Sequence, residues 1–216
     1  MSSFFNVDKQ VTPVFYARNI LLLTRYISKL TFYGAYHSNK VNVLIHIVCV
    51  PFILWSAYAL AAPAPVPEFF PKIHYVINEY LVFDLNWPAV AAAAYLGYYF
   101  VLEPFAALLY APQITLSLLS ATAFSYKPNH ALYAGALHAF TWIAQFYGHG
   151  VHEGRAPALL DNLVGAIVLA PFFVHLEILF KLGYRPEMHK RINNAIGKEV
   201  TRIRREAGDK RRAKAQ

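Results

Sequence analysis

Val41 to Ala62 is a run of 22 residues without a lysine, arginine, aspartate or glutamate. As a helix it measures about 33 Å, enough to cross a hydrocarbon core of roughly 30 Å. In lipid its backbone polar groups must be satisfied within the segment, which leaves helix as the conformation. The expected fold class is therefore all-α, a polytopic membrane helix bundle. Composition agrees: 57% of the 216 residues are apolar and 16% aromatic, above the roughly 45–50% apolar share of a soluble domain. The length suits one domain.

Further apolar blocks follow. Trp87 to Phe124 is interrupted by Glu103-Pro104 and Pro112, and reads as one span plus a re-entrant piece or as two tightly turned spans. His130 to Tyr147 and Pro157 to Leu182 supply two more helices. Between the first span and these blocks, Pro63 to Pro67 ("PAPVP") reads as a stiff connector, and Glu68 to Asn86 as a loop with a short interfacial helix. No repeat is visible.

Charge is divided unevenly. Met1 to Phe180 holds eight Lys/Arg and eight Asp/Glu, whereas Lys181 to Gln216 holds twelve against four, so the net charge of +8 resides in the tail. Asn19 to Lys40 mixes leucines with Arg18-flanked basic residues as a surface amphipathic helix does, and the tail from Pro186 alternates Ile192, Ile196, Val200 and Ile203 with charges. The expected organisation is an interfacial segment over 1–40, a membrane-embedded helical domain over 41–182 and a basic tail over 183–216, with amphipathic helices at both ends. Both ends being basic, the positive-inside rule favours an even number of crossings, about four, with both termini cytoplasmic. Anionic lipid is the expected partner of the tail, and nucleic acid is not. "RAKAQ" at the end loosely resembles a dibasic retrieval signal of the endoplasmic reticulum. The N-terminus lacks the pattern of a cleaved signal peptide. The lone Cys49 excludes an intramolecular disulfide framework and paired-cysteine zinc.

Nine histidines among so few other ionisable residues are the chemical anomaly, because ionisable groups in a membrane bundle are costly to bury. His74 and His189 lie in polar contexts and read as surface residues, His130 as interfacial, and His175 as a hydrogen-bonded core residue. In "YHSNKVNVLIH", Ser38 or Asn39 can cap the following helix, leaving His37 outside it while Asn42 and His46 share one face. In "HAFTWIAQFYGHGVHE", His138, Trp142, Gln145 and His149 fall on one helical face. His138 and His149 would stand about 16 Å apart along an unbroken helix, too far to share an ion. His152 and Glu153 can join His149 if that turn stays helical. Two histidines and a carboxylate suit non-haem iron, and zinc accepts the same donors.

These two segments, the second extended through "GRAPALLDNLVGAIVLAPFFVHLEILFKLG", resemble a yeast-type family of small endoplasmic reticulum membrane proteins, the 2-hydroxy fatty acid dioxygenases of phytosphingosine breakdown. The matching positions are His37, Asn39, Asn42 and His46, then Trp142, Gln145, Gly148, His149, Glu153, Pro157, Asn162 and Glu177. His138 and His152 fall where the family varies. The resemblance implies an iron(II)-dependent enzyme that uses O2 to convert a long-chain 2-hydroxy fatty acid to the acid one carbon shorter. It implies His37, His46 and His149 as iron ligands, with Glu153 as a fourth ligand or a partner that orients an imidazole. Asn42, Gln145 and Asn162 would supply hydrogen bonds near the iron, and Arg155 would attract the substrate carboxylate. Competing readings are a di-iron lipid hydroxylase, against which the absence of any His-His pair counts, a zinc hydrolase, and a non-enzymatic protein that organises membrane.

Overall fold

The computed structural model describes residues 27–154, 156 and 163–214, without the side chains of 164–166. Helical residues 27–35 (α1) lead through a short turn into α2 (Lys40–Ala61). A hairpin of β1 (His74–Asn78) and β2 (Leu81–Asp84) precedes α3 (Trp87–Leu102), α4 (Pro104–Ser125) and α5 (His130–Tyr147). A π-helical turn (Gly148–Glu153) extends α5, and α6 (Leu163–Lys181) and α7 (Pro186–Lys214) complete the chain.

Local chemistry explains the helix boundaries. Asn39 caps α2, its side-chain oxygen accepting from the backbone N–H groups of Val41 at 2.8 Å and Asn42 at 3.4 Å. Asn86 does the same for α3 through Ala89 N. Between α3 and α4 the chain breaks at Glu103, extended because Pro104 follows it. Trp87 to Phe124 thus forms two helices packed on each other, of which α4 alone is long and apolar enough to cross a membrane, so the expectation of two tightly turned spans is not met. Glu103 is buried at this break, where its Oε1 accepts from Tyr184 Oη at 2.9 Å and Arg185 Nη2 at 3.2 Å. That carboxylate ties the α3–α4 corner to the α6–α7 turn.

The segment from Glu68 to Asn86 corrects the expected loop with an interfacial helix. It holds an antiparallel hairpin that pairs His74 with Asp84, Tyr75 with Phe83 and Val76 with Val82. Its β-branched and aromatic residues favour strand, and Asn78 Oδ1 accepts from Tyr80 N at 2.9 Å to close the turn. Tyr126, just past α4, donates to Asp84 Oδ2 at 2.6 Å and anchors the hairpin to that end of the bundle. The fold is thus a helical bundle with one small two-stranded accessory.

Among the described residues, two helices, α2 and α4, are long and apolar enough to cross a membrane. A third qualifies only if Ile167–Lys181 and Pro186–Lys214, bent by 119°, count as one broken span. The 16 residues of α3 extend about 24 Å, short of a hydrocarbon core. Four full-length crossings are thus more than these helices meet by length and composition.

A single apolar core runs through the bundle, from Leu30 and Tyr33 of α1 to Met188 and Ile192 of α7. The close approach of α1 to α7 depends on Gly34, where a Cβ would lie 2.2 Å from Ile196 Cδ1. An isoleucine tip can swing away from a methyl, so alanine is tolerable there. A leucine has no such room. Gly34→Leu is expected to lower stability by about 1–3 kcal/mol, the usual range for overpacking. Adding Ile196→Ala should recover most of it in thermal unfolding of the detergent-purified protein.

Candidate metal centre

Three elements converge at the N-terminal end of α2. His37 comes from the turn before it, where Tyr36 N and His37 N bond back to Tyr33 O and Gly34 O at 3.1 Å each. His46 comes from the second turn of α2, and His149 from the π-helical turn. Their ring centroids lie 4.3 Å (His37–His46), 4.8 Å (His37–His149) and 4.9 Å (His46–His149) apart, each pair near-perpendicular. One ligating atom from each lies within 4.8 Å of the others, an arrangement that could hold a metal ion. All three are buried, with exposures of 6%, 5% and 3%.

The backbone sets two of the tautomers. His37 Nδ1 sits 2.7 Å from Tyr33 O and His46 Nδ1 2.9 Å from Asn42 O. A carbonyl only accepts, so each Nδ1 carries the proton and each Nε2 keeps its lone pair for a cation. This is the outer-sphere pattern of metal-binding imidazoles. Tyr33 stacks on the His37 ring at 4.4 Å, and Phe173 of α6 packs against both.

Glu153 lies at the edge of the trio rather than within its ligand group. Its Oε1 accepts from Ser38 N at 3.1 Å and from Ser38 Oγ, and its Oε2 from Asn39 N at 2.9 Å and Asn42 Nδ2 at 3.2 Å. Burial works against the charged carboxylate, but these bonds outweigh it and hold the group below its ordinary pKa. The N-terminus of α2 also favours an anion there. A single carboxylate thus binds the turn that carries His149 to the loop that carries His37. The approach is tight: a Cβ on Gly148 would lie 2.5 Å from Asn42 Oδ1.

The π-helical winding also sorts the histidines, because its wider turn takes His152 off the face of His149. His152 packs on Tyr147 instead. His138 has both nitrogens engaged: Trp142 Nε1–H donates to Nε2 at 2.9 Å, so Nδ1 carries the proton and donates to Ser56 Oγ at 2.9 Å. Of the other histidines, His175 bonds Ala106 O, His74 pairs with Asp84 and His189 stacks on Phe180. Asn42 and Gln145 lie beside the trio at 0% and 6% exposure, and Gln145 Nε2 has no hydrogen-bond partner among the described residues. Glu177 is half-buried on α6. Arg155 and Asn162 lie outside the described residues.

A cavity of about 270 Å³ opens from the three imidazoles between α2, α5 and α6. Gln145 marks its polar end, and Val50, Leu54, Phe146 and Ile167 are among the carbon-rich residues beyond. The role of Ser38 as a partner of Glu153 and the sealing of His138 by Trp142 were not visible in the sequence. A serine before an asparagine cap was the one local signal for the former.

A family model described as 2-hydroxy-palmitic acid dioxygenase Mpo1-like matches residues 23–182. The 2-hydroxy-palmitic acid dioxygenase MPO1 of Saccharomyces cerevisiae is 35% identical over 168 residues, covering 74% of this chain and 83% of that protein. No solved structure matches.

Proposed function

The chain belongs to the Mpo1-like family of 2-hydroxy-palmitic acid dioxygenases, and from that membership we propose an iron(II)-dependent oxidoreductase that uses O2 to shorten a long-chain 2-hydroxy fatty acid by one carbon. The observation that carries it is the buried His37, His46 and His149 trio at the head of an apolar cavity. With one O2, a balanced reaction yields the shortened acid, carbon dioxide and water.

The residues present fit a divalent cation: buried, near-perpendicular imidazoles, two with Nε2 lone pairs directed by backbone carbonyls. We assign His37, His46 and His149 as the ligands of Fe(2+), and Glu153 as the residue that positions them from outside. Iron(II) bound there would supply the redox centre and Lewis acid at which O2 and the hydroxy acid meet. Three neutral imidazoles add no negative charge of their own, so the substrate carboxylate, together with nearby Glu153, would balance the cation's charge. A carboxylate with a neighbouring 2-hydroxyl can chelate, whereas a plain fatty acid offers only its carboxylate.

Gln145, one turn before His149 with a free amide donor, is suited to hold a carboxylate or hydroxyl oxygen of that chelate. Asn42 fixes Glu153 and the His46 tautomer together. Arg155 as an attractant for the substrate carboxylate and Asn162 as a hydrogen-bonding neighbour remain part of the proposal. The packed carbon walls exclude water from the acyl chain, which enters from the bilayer. For the cell, we propose a multi-pass protein of the endoplasmic reticulum membrane with an even number of passages and both termini cytoplasmic. The packing of α1 against α7 at one end of the bundle and the basic tail support that reading.

The test is anaerobic loading of the detergent-purified protein with iron(II), then 2-hydroxyhexadecanoic acid and air, with products identified by mass spectrometry. Pentadecanoic acid that requires both iron and O2 and disappears on chelation is expected. No shortened acid from folded, iron-loaded protein would overturn the proposal. Turnover with zinc in place of iron would favour a hydrolytic metal site instead.

A further inference from the structure

Helices α3 and α4 leave a common corner at Glu103 and pack on each other, so they run antiparallel. The 22 residues of α4 extend about 33 Å against about 24 Å for the 16 of α3, and α4 therefore overruns the start of α3 by about 9 Å. The β1–β2 hairpin folds onto that overhang. β2 packs on α4, and Tyr126, the residue after α4, donates to Asp84 Oδ2 at 2.6 Å. The connector from α2 is held at the same level, because Trp87 Nε1–H donates to Pro65 O at 3.0 Å. The hairpin thus lies where α2 and α4, the two helices of membrane-crossing length among the described residues, both end. The three imidazoles stand at the other end of α2.

The two strands meet different surroundings. Val82 of β2 is buried, and Phe83 and Leu85 pack against the core. Every residue of β1 is exposed, and the sheet has two strands, so among the described residues the outer edge of β1 has no strand beside it. Phe69 at 82%, Tyr80 at 67% and Tyr75 at 64% exposure, with Ile73, Val76 and Ile77, leave apolar and aromatic area uncovered around that edge. Charge does not account for it. From Glu68 to Asp84 there are three acids and one lysine, and Asp84 is already paired with His74 at 2.6 Å. The segment therefore has no attraction for an anionic surface, unlike the basic α7, whose start is tied to Glu103 at the opposite corner.

Two requirements then fix the surroundings of β1. Edge N–H and C=O groups need hydrogen-bond partners, which hydrocarbon lacks. Exposed phenylalanine, tyrosine and isoleucine side chains need cover, which water does not give. The headgroup layer of a bilayer supplies both, and it is where tyrosine and tryptophan concentrate. We infer that the hairpin is an interfacial anchor seated in the headgroup layer of a zwitterionic phospholipid surface, where it completes the membrane depth that α3 leaves short. A strand pair, and not a helix, closes the bundle at that boundary. The inference stands on the lengths of α2 and α4 and is independent of the iron chemistry.

The experiment places an environment-sensitive fluorophore on Tyr75→Cys or Tyr80→Cys in full-length protein with Cys49→Ala, reconstituted in phosphatidylcholine vesicles. Leu116→Cys, at an exposed position midway along α4, calibrates hydrocarbon, and the free fluorophore–cysteine conjugate calibrates water. Quenching is read with iodide on both sides of the membrane, and with lipids carrying a nitroxide either just below the headgroup or at the chain end. Both hairpin labels should be quenched about threefold more by the shallow nitroxide than by the deep one, with the reverse at Leu116. Iodide should quench them at about half the rate of the free conjugate, and neither anionic lipid nor high salt should change these values. Full iodide quenching without a nitroxide effect would put the hairpin in water and overturn the inference. So would shielding from both quenchers, the sign of a second copy covering β1, or a nitroxide effect that needs anionic lipid. Where a tyrosine variant does not fold, Ile77→Cys takes its place and the same outcomes decide.

Discussion

His149→Ala is expected to abolish both tight iron binding and turnover. The side chain is 3% exposed and its ring stands within 5 Å of both other imidazoles, so its loss removes one of three converging donors from a buried site. Apparent binding free energies of about 10–16 kcal/mol for four-ligand structural zinc sites amount to roughly 3 kcal/mol per ligand. Losing one ligand therefore weakens iron binding by about a hundredfold or more. Turnover falls further, because the remaining two donors leave the substrate's position relative to the metal undefined. The check is metal content after gel filtration, together with thermal unfolding with and without iron(II). Wild type gains stability on loading, and in the variant this gain disappears. A variant that retains stoichiometric iron would remove His149 from the ligand set.

Glu153→Ala has the second large effect, and it acts on the scaffold. It strips partners from Ser38 N, Asn39 N, Ser38 Oγ and Asn42 Nδ2 together. Hydrogen bonds to a charged acceptor contribute about 1.5–3 kcal/mol each when buried, but this carboxylate is only half-buried and water replaces part of the loss. A destabilisation of about 2–3 kcal/mol is expected. Iron affinity should drop about 10–100-fold, the usual effect of losing an outer-sphere partner of a metal site. Glu153→Gln keeps one acceptor oxygen and should recover about half of the stability. Denaturation of the metal-free variant reports the scaffold, and iron titration of the folded fraction reports the site. Wild-type iron affinity in folded Glu153→Ala would show that the carboxylate does not position the imidazoles.

How much of this was legible beforehand depends on the range of the interaction. An α2 cap at Ser38 or Asn39, the break at Glu103-Pro104 and the bounds of α5 were readable because caps, proline sterics and apolar runs act within a few residues, and the structure chose Asn39. The hairpin was missed because its strands are short, lie between connectors, and expose all of β1, so the alternation that marks a half-buried strand is weak. The winding after Tyr147 was also hidden, since nothing local separates a π-helical turn from an α-helical one. That winding removes His152 from the face of His149.

By itself, the sequence determined that the chain is helical and suited to a membrane, that its positive charge lies at the end, and that His37, His46 and His149 belong to motifs capable of holding a metal. These follow from composition and from residues a few positions apart. Only the tertiary structure decided which imidazoles meet, that the Glu153 carboxylate is bonded to the α2 N-terminus, and that His138 is sealed against Ser56 and Trp142. Those outcomes depend on which buried polar groups come within about 3 Å of each other across more than eighty residues of chain, and a buried donor or acceptor takes whichever partner packing delivers.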